Sequence, residues 1–375
     1  MSSAVANPCE SDTLAPVLLS VAVVIPCYKA AATIPTVLQG IGTEVGAIYC
    51  VDDASPDDTV AVITQAMTRD KRIRLILRQA NGGVGAAMVD GYRAAIADGA
   101  TVLVKIDSDG QMNPAVISSF AAPILSGEAD YVKGNRFFAI DTIRRMPLVR
   151  IIGNAGLSFS TKLSTGYWDL FDPTNGYTAI HARVAAVLPL GRLHPRYFFE
   201  SDLLFRLSTV RARVIELPMA STYGTERSHL SVFWCLATFP WLHVRNFLKR
   251  LFYNYFLRNF SIASVNLVLG TALAAFGLIF GVERWLAASQ SDLAATPGTV
   301  MLSALPLLLG VQLILNFLSH DMATTPRDAI HHRIAKMQIL PAASSADEPS
   351  NRAALASVDA SEHQAAPPLE SKKHV

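Results

Sequence analysis

Short apolar runs alternate with helical patterns over residues 18–134 of this 375-residue chain. Residues 21–26, 47–51, 73–77 and 102–106 are rich in Val, Ile and Leu and are bounded by Pro, Asp, Asn or Gly. Such bounded runs predict buried strands. A helical pattern begins at Thr33, and others cover 57–68 and 84–97, the last after Gly82-Gly83. Strand and helix in this alternation predict an α/β unit: a mostly parallel sheet with helices on both faces. The apolar run 14–25 is too short to cross a bilayer and leads into the first strand. Residues 135–212 are irregular, and 214–217 read as one further strand. No internal repeat is visible.

The pattern changes after Ser228. Residues 230–257 mix Trp, Phe, Tyr and Leu with Arg245, Lys249 and Arg250, as a helix lying in a membrane interface does. Residues 259–282 and 293–319 are two successive uncharged runs, each long enough to cross the hydrocarbon core. Arg245, Lys249, Arg250 and Arg258 flank one side, and Arg327, Arg333 and Lys336 the other. Positive flanks stay cytoplasmic. The organisation expected is therefore an N-terminal tail (1–17), an α/β domain (18–230), amphipathic interfacial helices (231–258), two transmembrane helices (259–320) and a cytoplasmic, largely disordered tail (321–375). The protein is expected to be integral to the membrane, in a bacterium the inner membrane, with its first domain cytoplasmic.

Composition sharpens this picture only in places. Hydrophobic residues make up 51% of the chain, and the formal net charge is +2. So small an excess gives no electrostatic ground for nucleic acid as a partner. Residues 1–13 lack the basic start and apolar core of a secretory signal. Cys9, Cys27, Cys50 and Cys235 are scattered without metal spacing, which predicts reduced thiols in a cytosolic setting.

The chemistry gathers at the strand ends. Asp107-Ser108-Asp109-Gly110-Gln111 follows the run 102–106, so the strand delivers two carboxylates to the carboxyl edge of the sheet. Open α/β sheets bind ligands at that edge. Carboxylates suit hard cations such as Mg²⁺ or Mn²⁺, which commonly hold substrate phosphates. Pro26-Cys27-Tyr28, Asp52-Asp53-Ala54-Ser55 and Asn81-Gly82-Gly83 end or follow the other strands. Tyr28 can pack on a base, Asp52 or Asp53 can accept from a base N–H, and Asn81-Gly82-Gly83 lets backbone approach phosphate at a helix start. No Lys-Ser/Thr follows the glycines, so this is not a Walker loop. Lys133, Arg136, Arg144, Arg145, Arg150 and Lys162 form a basic set after the two aspartates, suited to phosphate.

These motifs together resemble the family 2 glycosyltransferases over residues 20 to about 230. The resemblance implies the GT-A (Rossmann-like) nucleotide-sugar fold. Gly134-Asn135-Arg136, Asp172-Pro173-Thr174-Asn175-Gly176-Tyr177, Ile215-Glu216-Leu217-Pro218 and Arg227-Ser228-His229-Leu230-Ser231, followed by membrane segments, are similar to the polyprenyl- and dolichol-phosphate sugar transferases. That implies a metal held by Asp107, Asp109 and Gln111, and a nucleotide held by Pro26, Tyr28 and Asp53, with Asp52, Asn81, Gly82 and Asp107 beside it. It further implies an acceptor phosphate facing Arg136, Arg150, Asn154 and Arg227. Ala30 stands where many relatives carry Glu, and the Gln-x-x-Arg-Trp motif of processive synthases is absent.

The activity expected is inverting, metal-dependent transfer from a nucleotide-diphosphate sugar to undecaprenyl or dolichyl phosphate, for a cell-envelope glycan. Asp109 and Arg136 are the expected catalytic residues, and a homo-oligomer is compatible with this reading. An anionic phosphate acceptor needs no general base. A sugar hydroxyl of a glycolipid or polysaccharide would need one, and Glu200 and Asp202 are the candidates. A membrane scaffold without activity is the remaining alternative.

Overall fold

The computed structural model describes residues 21–138, 148–173, 175–219, 232–291 and 294–339. The chain divides into two compact units, 1–332 and 333–375. Of the second, 333–339 are described, as helix. The expected tail 1–17 lies outside the described residues, as does the expected tail 321–375 beyond 339; residues 321–323 and 331–339 are helical.

Seven strands form one sheet in the first unit: β1 (Val21–Cys27), β2 (Ala47–Asp52), β3 (Ile73–Leu77), β4 (Val102–Lys105), β5 (Tyr131–Asn135), β6 (Thr178–His181) and β7 (Val214–Pro218). Their order is β3-β2-β1-β4-β6-β5-β7. The first four pair in parallel, as the alternation predicts. β6 runs antiparallel to both β4 and β5, and β5 is parallel to β7. The helices between them are α1 (Ile34–Gly40), α2 (Thr59–Arg69), α3 (Val84–Ala97), α4 (Ile117–Leu125), α5 (Leu148–Thr165), α6 (Ala182–Val187) and α7 (Phe199–Val210).

Side-chain alternation along the strands gives the two faces different characters. Val23, Ile25, Val104, Ile106, Val132 and Ala179 face α1, α2 and α4, packing on Ile34, Val37, Ile63, Phe120 and Ile124. Each such fully buried aliphatic contributes roughly 1.5–3 kcal/mol. The opposite face is apolar too, with Val24, Val51 and Leu103 buried beneath α3, but a polar row crosses it. Lys105, Thr178, Lys133 and Glu216 are successive cross-strand partners, so they share one face in a row. Lys105, Thr178 and Lys133 are buried.

Helix α8 (Val232–Phe252) continues into a π-helical segment, Tyr253–Arg258. Helices α9 (Ile262–Ser291) and α10 (Pro297–Ala323) then form an antiparallel pair, followed by α11 (His331–Ile339). Both α9 and α10 are long and apolar enough to cross a membrane, with mean hydropathies of 2.1 and 2.0 and only 11% of each apolar window buried. Exposure on this scale separates them from core helices of a soluble domain. Glycines bring the two backbones together. A Cβ at Gly310 would stand 2.7 Å from Gly270 O, and one at Gly277 2.7 Å from Ser303 O. Small residues of this kind are how apolar helices pack without a hydrophobic driving force. After α10 the chain returns to the sheet, where buried Asp130 accepts from Ile330 N at 2.8 Å and His331 N at 3.0 Å.

Candidate functional site

Strand order reverses at β1, whose neighbours are β2 on one side and β4 on the other. Open α/β sheets bind ligands at such a switch point, outside the carboxyl ends of the strands. Asp107 and Asp109 follow β4 here, and Tyr28 follows β1. Ile106 N donates to Val24 O at 3.2 Å, extending the parallel pairing to the residue before Asp107. The Thr33 hydroxyl donates to Ser108 O at 2.6 Å, pinning the aspartate loop to the start of α1. Gln111 N donates to Asp109 Oδ1 at 2.9 Å, so Asp107, Asp109 and Gln111 share one tight turn.

Two carboxylates and one amide are hard oxygen donors. Among the described residues no group of three or more His, Cys, Asp or Glu side chains forms a metal cage. A sparse oxygen set at a strand end fits a cation completed by substrate phosphates and water.

The adjacent aspartates after β2 play different parts. Asp53 accepts from Gly82 N at 2.9 Å, Gly83 N at 2.7 Å and Arg78 Nη1 at 2.5 Å. Its carboxylate thus builds the glycine loop, and Asn81 adds a bond to Asp53 O at 3.2 Å. Asp52 Oδ2 accepts from Ser55 N at 3.1 Å, but its buried Oδ1 has no partner among the described residues. An orphaned buried acceptor is rare and marks a group waiting for a donor. Sequence alone left the base contact open between the two residues. Asp53 is taken up by the loop and Arg78, whereas Asp52 keeps one carboxylate oxygen unbound by the described residues. Lys29 and Ala54, beside these groups, have φ of 55° and 56°. Positive φ in non-glycine residues concentrates at functional sites. Tyr28 is 47% exposed, with Lys29 Nζ 5.5 Å from its ring centroid.

Beneath the aspartate turn lies an ion network the sequence did not announce. Lys105, 1% exposed, places Nζ 2.6 Å from Asp107 Oδ1, 3.3 Å from Glu200 Oε1 and 3.2 Å from Gly176 O. Burial opposes its charge, but the Asp107 and Glu200 carboxylates outweigh burial and hold the ammonium above its usual range. A Cβ at Gly176 would stand 2.5 Å from Asp107 Oδ2 and 2.7 Å from Lys105 Nζ, so a larger residue there would displace the ends of both side chains. The one available signal was a Lys two residues before Asp inside an apolar strand. Glu200 reaches the cluster from the first turn of α7. Asp202 does not join it. Its carboxylate accepts from His194 N, Arg206 Nε and Asn246 Nδ2 at 3.0, 3.2 and 3.1 Å, anchoring α8 to α7. Asp202, one of the two candidate bases for a hydroxyl acceptor, is held as a buried structural clamp.

Lys133, grouped by sequence with the phosphate-binding arginines, is instead buried and donates to Asn175 O. Burial pushes its ammonium down to about 8, against the Glu200 and Asp172 carboxylates that favour the charge. The unfolded chain then binds more protons than the folded one between pH 8 and 10.5, so stability rises with pH across that window. This site adds an upward contribution to the thermal midpoint between pH 8 and 10, and the slope of midpoint against pH is expected to be less positive in Lys133→Met than in wild type. An unchanged slope in that variant would contradict the assignment.

The acceptor residues are only partly in view. Arg136 donates from Nε and Nη2 to the buried Asp172 carboxylate at 2.8 and 2.9 Å, a bidentate pair. Asp172 N and Phe171 N donate to Glu216 Oε1, both at 2.8 Å, and Asn135 donates to Glu216 Oε2 at 2.8 Å. Arg136 therefore closes a network tying β5, β7 and the 171–177 segment. Asn154 lies on α5, half-buried. Arg144, Arg145, Arg227 and the side chain of Arg150 lie outside the described residues.

Residues 22–188 match the family described as Glycosyl transferase family 2. They form a family 2 glycosyltransferase domain. Its curated relatives include the UDP-N-acetylglucosamine–dolichyl-phosphate N-acetylglucosaminyltransferase of Methanococcus voltae, 28% identical over 53% of this chain and 84% of that one. The polyprenol monophosphomannose synthase of Mycolicibacterium smegmatis is 28% identical, over 53% of this chain and 76% of that one. The undecaprenyl-phosphate mannosyltransferase of Micrococcus luteus is 27% identical, over 54% and 83%. Among solved structures, glucosyl-3-phosphoglycerate synthase of Mycobacterium tuberculosis with Mn²⁺, UDP and glucosyl-3-phosphoglycerate aligns with a TM-score of 0.47. It is 20% identical, over 62% of this chain and 79% of that one. The transferase domain makes this chain an enzyme, not a scaffold.

Proposed function

We propose that the transferase domain moves a sugar, with inversion, from a nucleotide-diphosphate sugar to the phosphate of a membrane polyprenyl lipid. The observation that carries this reading is a convergence at one sheet edge. Asp107 and Asp109 and the orphaned Asp52 oxygen lie at the carboxyl ends of the strands flanking β1, in a chain with two exposed apolar helices. Three curated relatives are named for lipid-phosphate acceptors, and their similarity covers this same domain.

Asp52 accepts from the base and Tyr28 packs on it, while Asn81, Gly82 and Gly83 line the way to the phosphates. Asp107, Asp109 and Gln111 would hold Mg²⁺ or Mn²⁺, which supplies charge neutralisation to a leaving diphosphate, worth several kcal/mol. A phosphate-monoester acceptor has a second pKa near ~6 and is already anionic at neutral pH. No general base is then required, only cations that orient it. Glu200 agrees with this, because its carboxylate is engaged by the Lys105 ammonium. Arg136, committed to Asp172, fixes the 135–138 turn, and Arg150, Arg227 and Asn154 are left to position the acceptor.

The domain is held on the cytoplasmic side of a bilayer by α9 and α10. The chain leaves the domain at α9 and returns to Asp130 after α10, so both flanks lie on one side. A cysteine placed at Ser289 is expected to be labelled from outside intact cells and one at Lys71 not. The reverse pattern would reject this topology.

Transfer from a panel of radiolabelled nucleotide sugars to polyprenyl phosphate in membranes tests the activity. Arg150→Ala and Arg227→Ala should each cut transfer about ten- to a hundredfold, the loss of a charge-assisted pair worth ~1.5–3 kcal/mol. Glu200→Gln should cost much less. If Glu200→Gln abolishes transfer while both arginine variants stay active, the acceptor is a hydroxyl.

A further inference from the structure

A cleft of about 450 Å³ opens where the π-helical segment and the end of α10 meet the transferase domain. None of its lining residues belongs to the candidate site described above. Arg211, Arg250, Arg258, Asn254, His320 and Asp321 line it. Three arginines face one aspartate, and that aspartate is already matched. Arg250 binds Asp321 through two contacts of 2.7 and 2.9 Å, and Tyr255 and Trp168 add bonds of 2.6 and 2.9 Å. Among the described residues, the other two arginines of the cleft have no carboxylate partner.

These are Arg211 and Arg258, and both are exposed. Arg211 Nη2 donates to Thr324 O at 3.0 Å, and Arg258 Nη1 to Thr209 O at 2.8 Å. These bonds fix the guanidiniums, yet a guanidinium has five N–H donors, enough to grip an anion as well. Two further lining groups, Asn254 Oδ1 and His320 Nδ1, are buried without a partner among the described residues. His320 can present Nδ1–H to an oxyanion, and Asn254 can donate only through Nδ2, its Oδ1 being an acceptor. Beside this polar floor stand exposed Leu257, Phe260 and Ile262, at 65%, 68% and 70% exposure. A cationic cleft rimmed by apolar side chains, level with the start of α9 and the end of α10, matches a headgroup with acyl chains attached.

We propose that this cleft binds the phosphate of a membrane lipid through Arg211 and Arg258, with Asn254 and His320 completing the contacts. The inference rests on the membrane reading but not on transfer. Two sources share the chemistry: a bulk anionic phospholipid, or a polyprenyl phosphate held near the domain.

The test uses the full chain in nanodiscs of phosphatidylcholine alone, with added phosphatidylglycerol, or with added polyprenyl phosphate. It reads the thermal midpoint and, by native mass spectrometry, the lipid retained. Wild type is expected to gain several degrees and keep bound lipid with one of the two added lipids, and that lipid names the source. Arg211→Gln/Arg258→Gln should lose the gain and the bound lipid, while Arg284→Gln, an exposed control, keeps both. Equal gains in wild type and the double variant would overturn the proposal, as would equal protection by inorganic phosphate alone. Failure to enter nanodiscs at all would instead defeat the membrane reading, and loss of sugar transfer would touch neither measurement.

Discussion

Asp109→Asn is expected to lower turnover by roughly 10²–10³, the scale seen when one electrostatic contact to a developing charge is removed. The substitution is nearly isosteric. The side-chain oxygen can still accept from Gln111 N, the 2.9 Å bond that closes the turn. What changes is the formal charge offered to a divalent cation and, through it, to the leaving diphosphate. The thermal midpoint and membrane insertion should therefore match wild type while turnover falls, and more Mn²⁺ or Mg²⁺ should be needed for half-maximal rate. Wild type should lose activity in EDTA and regain it on adding metal. Full turnover by the variant, or by wild type in EDTA, would remove the metal from Asp107 and Asp109.

The strand that delivers those aspartates was legible because it obeys a simple rule. Val102–Lys105 is an apolar run between a turn and a carboxylate pair, and the structure makes it a buried parallel strand. The same rule found β1, β2, β3 and β7, and the two apolar helices. It failed at β5 and β6. Tyr131–Asn135 contains Lys and Gly, and Thr178–His181 is short and polar at both ends, so neither reads as an apolar run. The polar groups of β5 meet partners far away in sequence, Lys133 with Asn175 and Asn135 with Glu216, and β6 is buried between β4 and β5. Pairings of that kind leave no local signal. The site shows the same division. Its edge could be located from strand ends, but the separate tasks of Asp52 and Asp53, the clamp role of Asp202 and the Arg136–Asp172 pair depend on which neighbour each carboxylate meets in three dimensions.

Lys105 gives the second large effect, and it is expected to be a positioning residue. Its ammonium is the buried counter-charge between Asp107 and Glu200. Lys105→Met keeps the length of the side chain and removes the charge. Two carboxylates then face each other without it, and breaking a buried ion pair in this way costs roughly 3–5 kcal/mol. Asp107 is 31% exposed, which screens its share and draws the figure to the lower end. Turnover is expected to fall about a hundredfold or more, because Asp107 loses the contact that sets its orientation. Metal binding should move the other way. With the neighbouring positive charge gone, the concentration of Mn²⁺ needed for half-maximal rate should drop, which mere loosening of the fold would not produce. A double-mutant cycle isolates the cause. If charge pairing is responsible, Lys105→Met/Glu200→Gln should be more stable than Lys105→Met alone, since one of the two facing carboxylates is neutralised. Strictly additive losses, together with an unchanged metal requirement, would mean that Lys105 only fills space beneath the site.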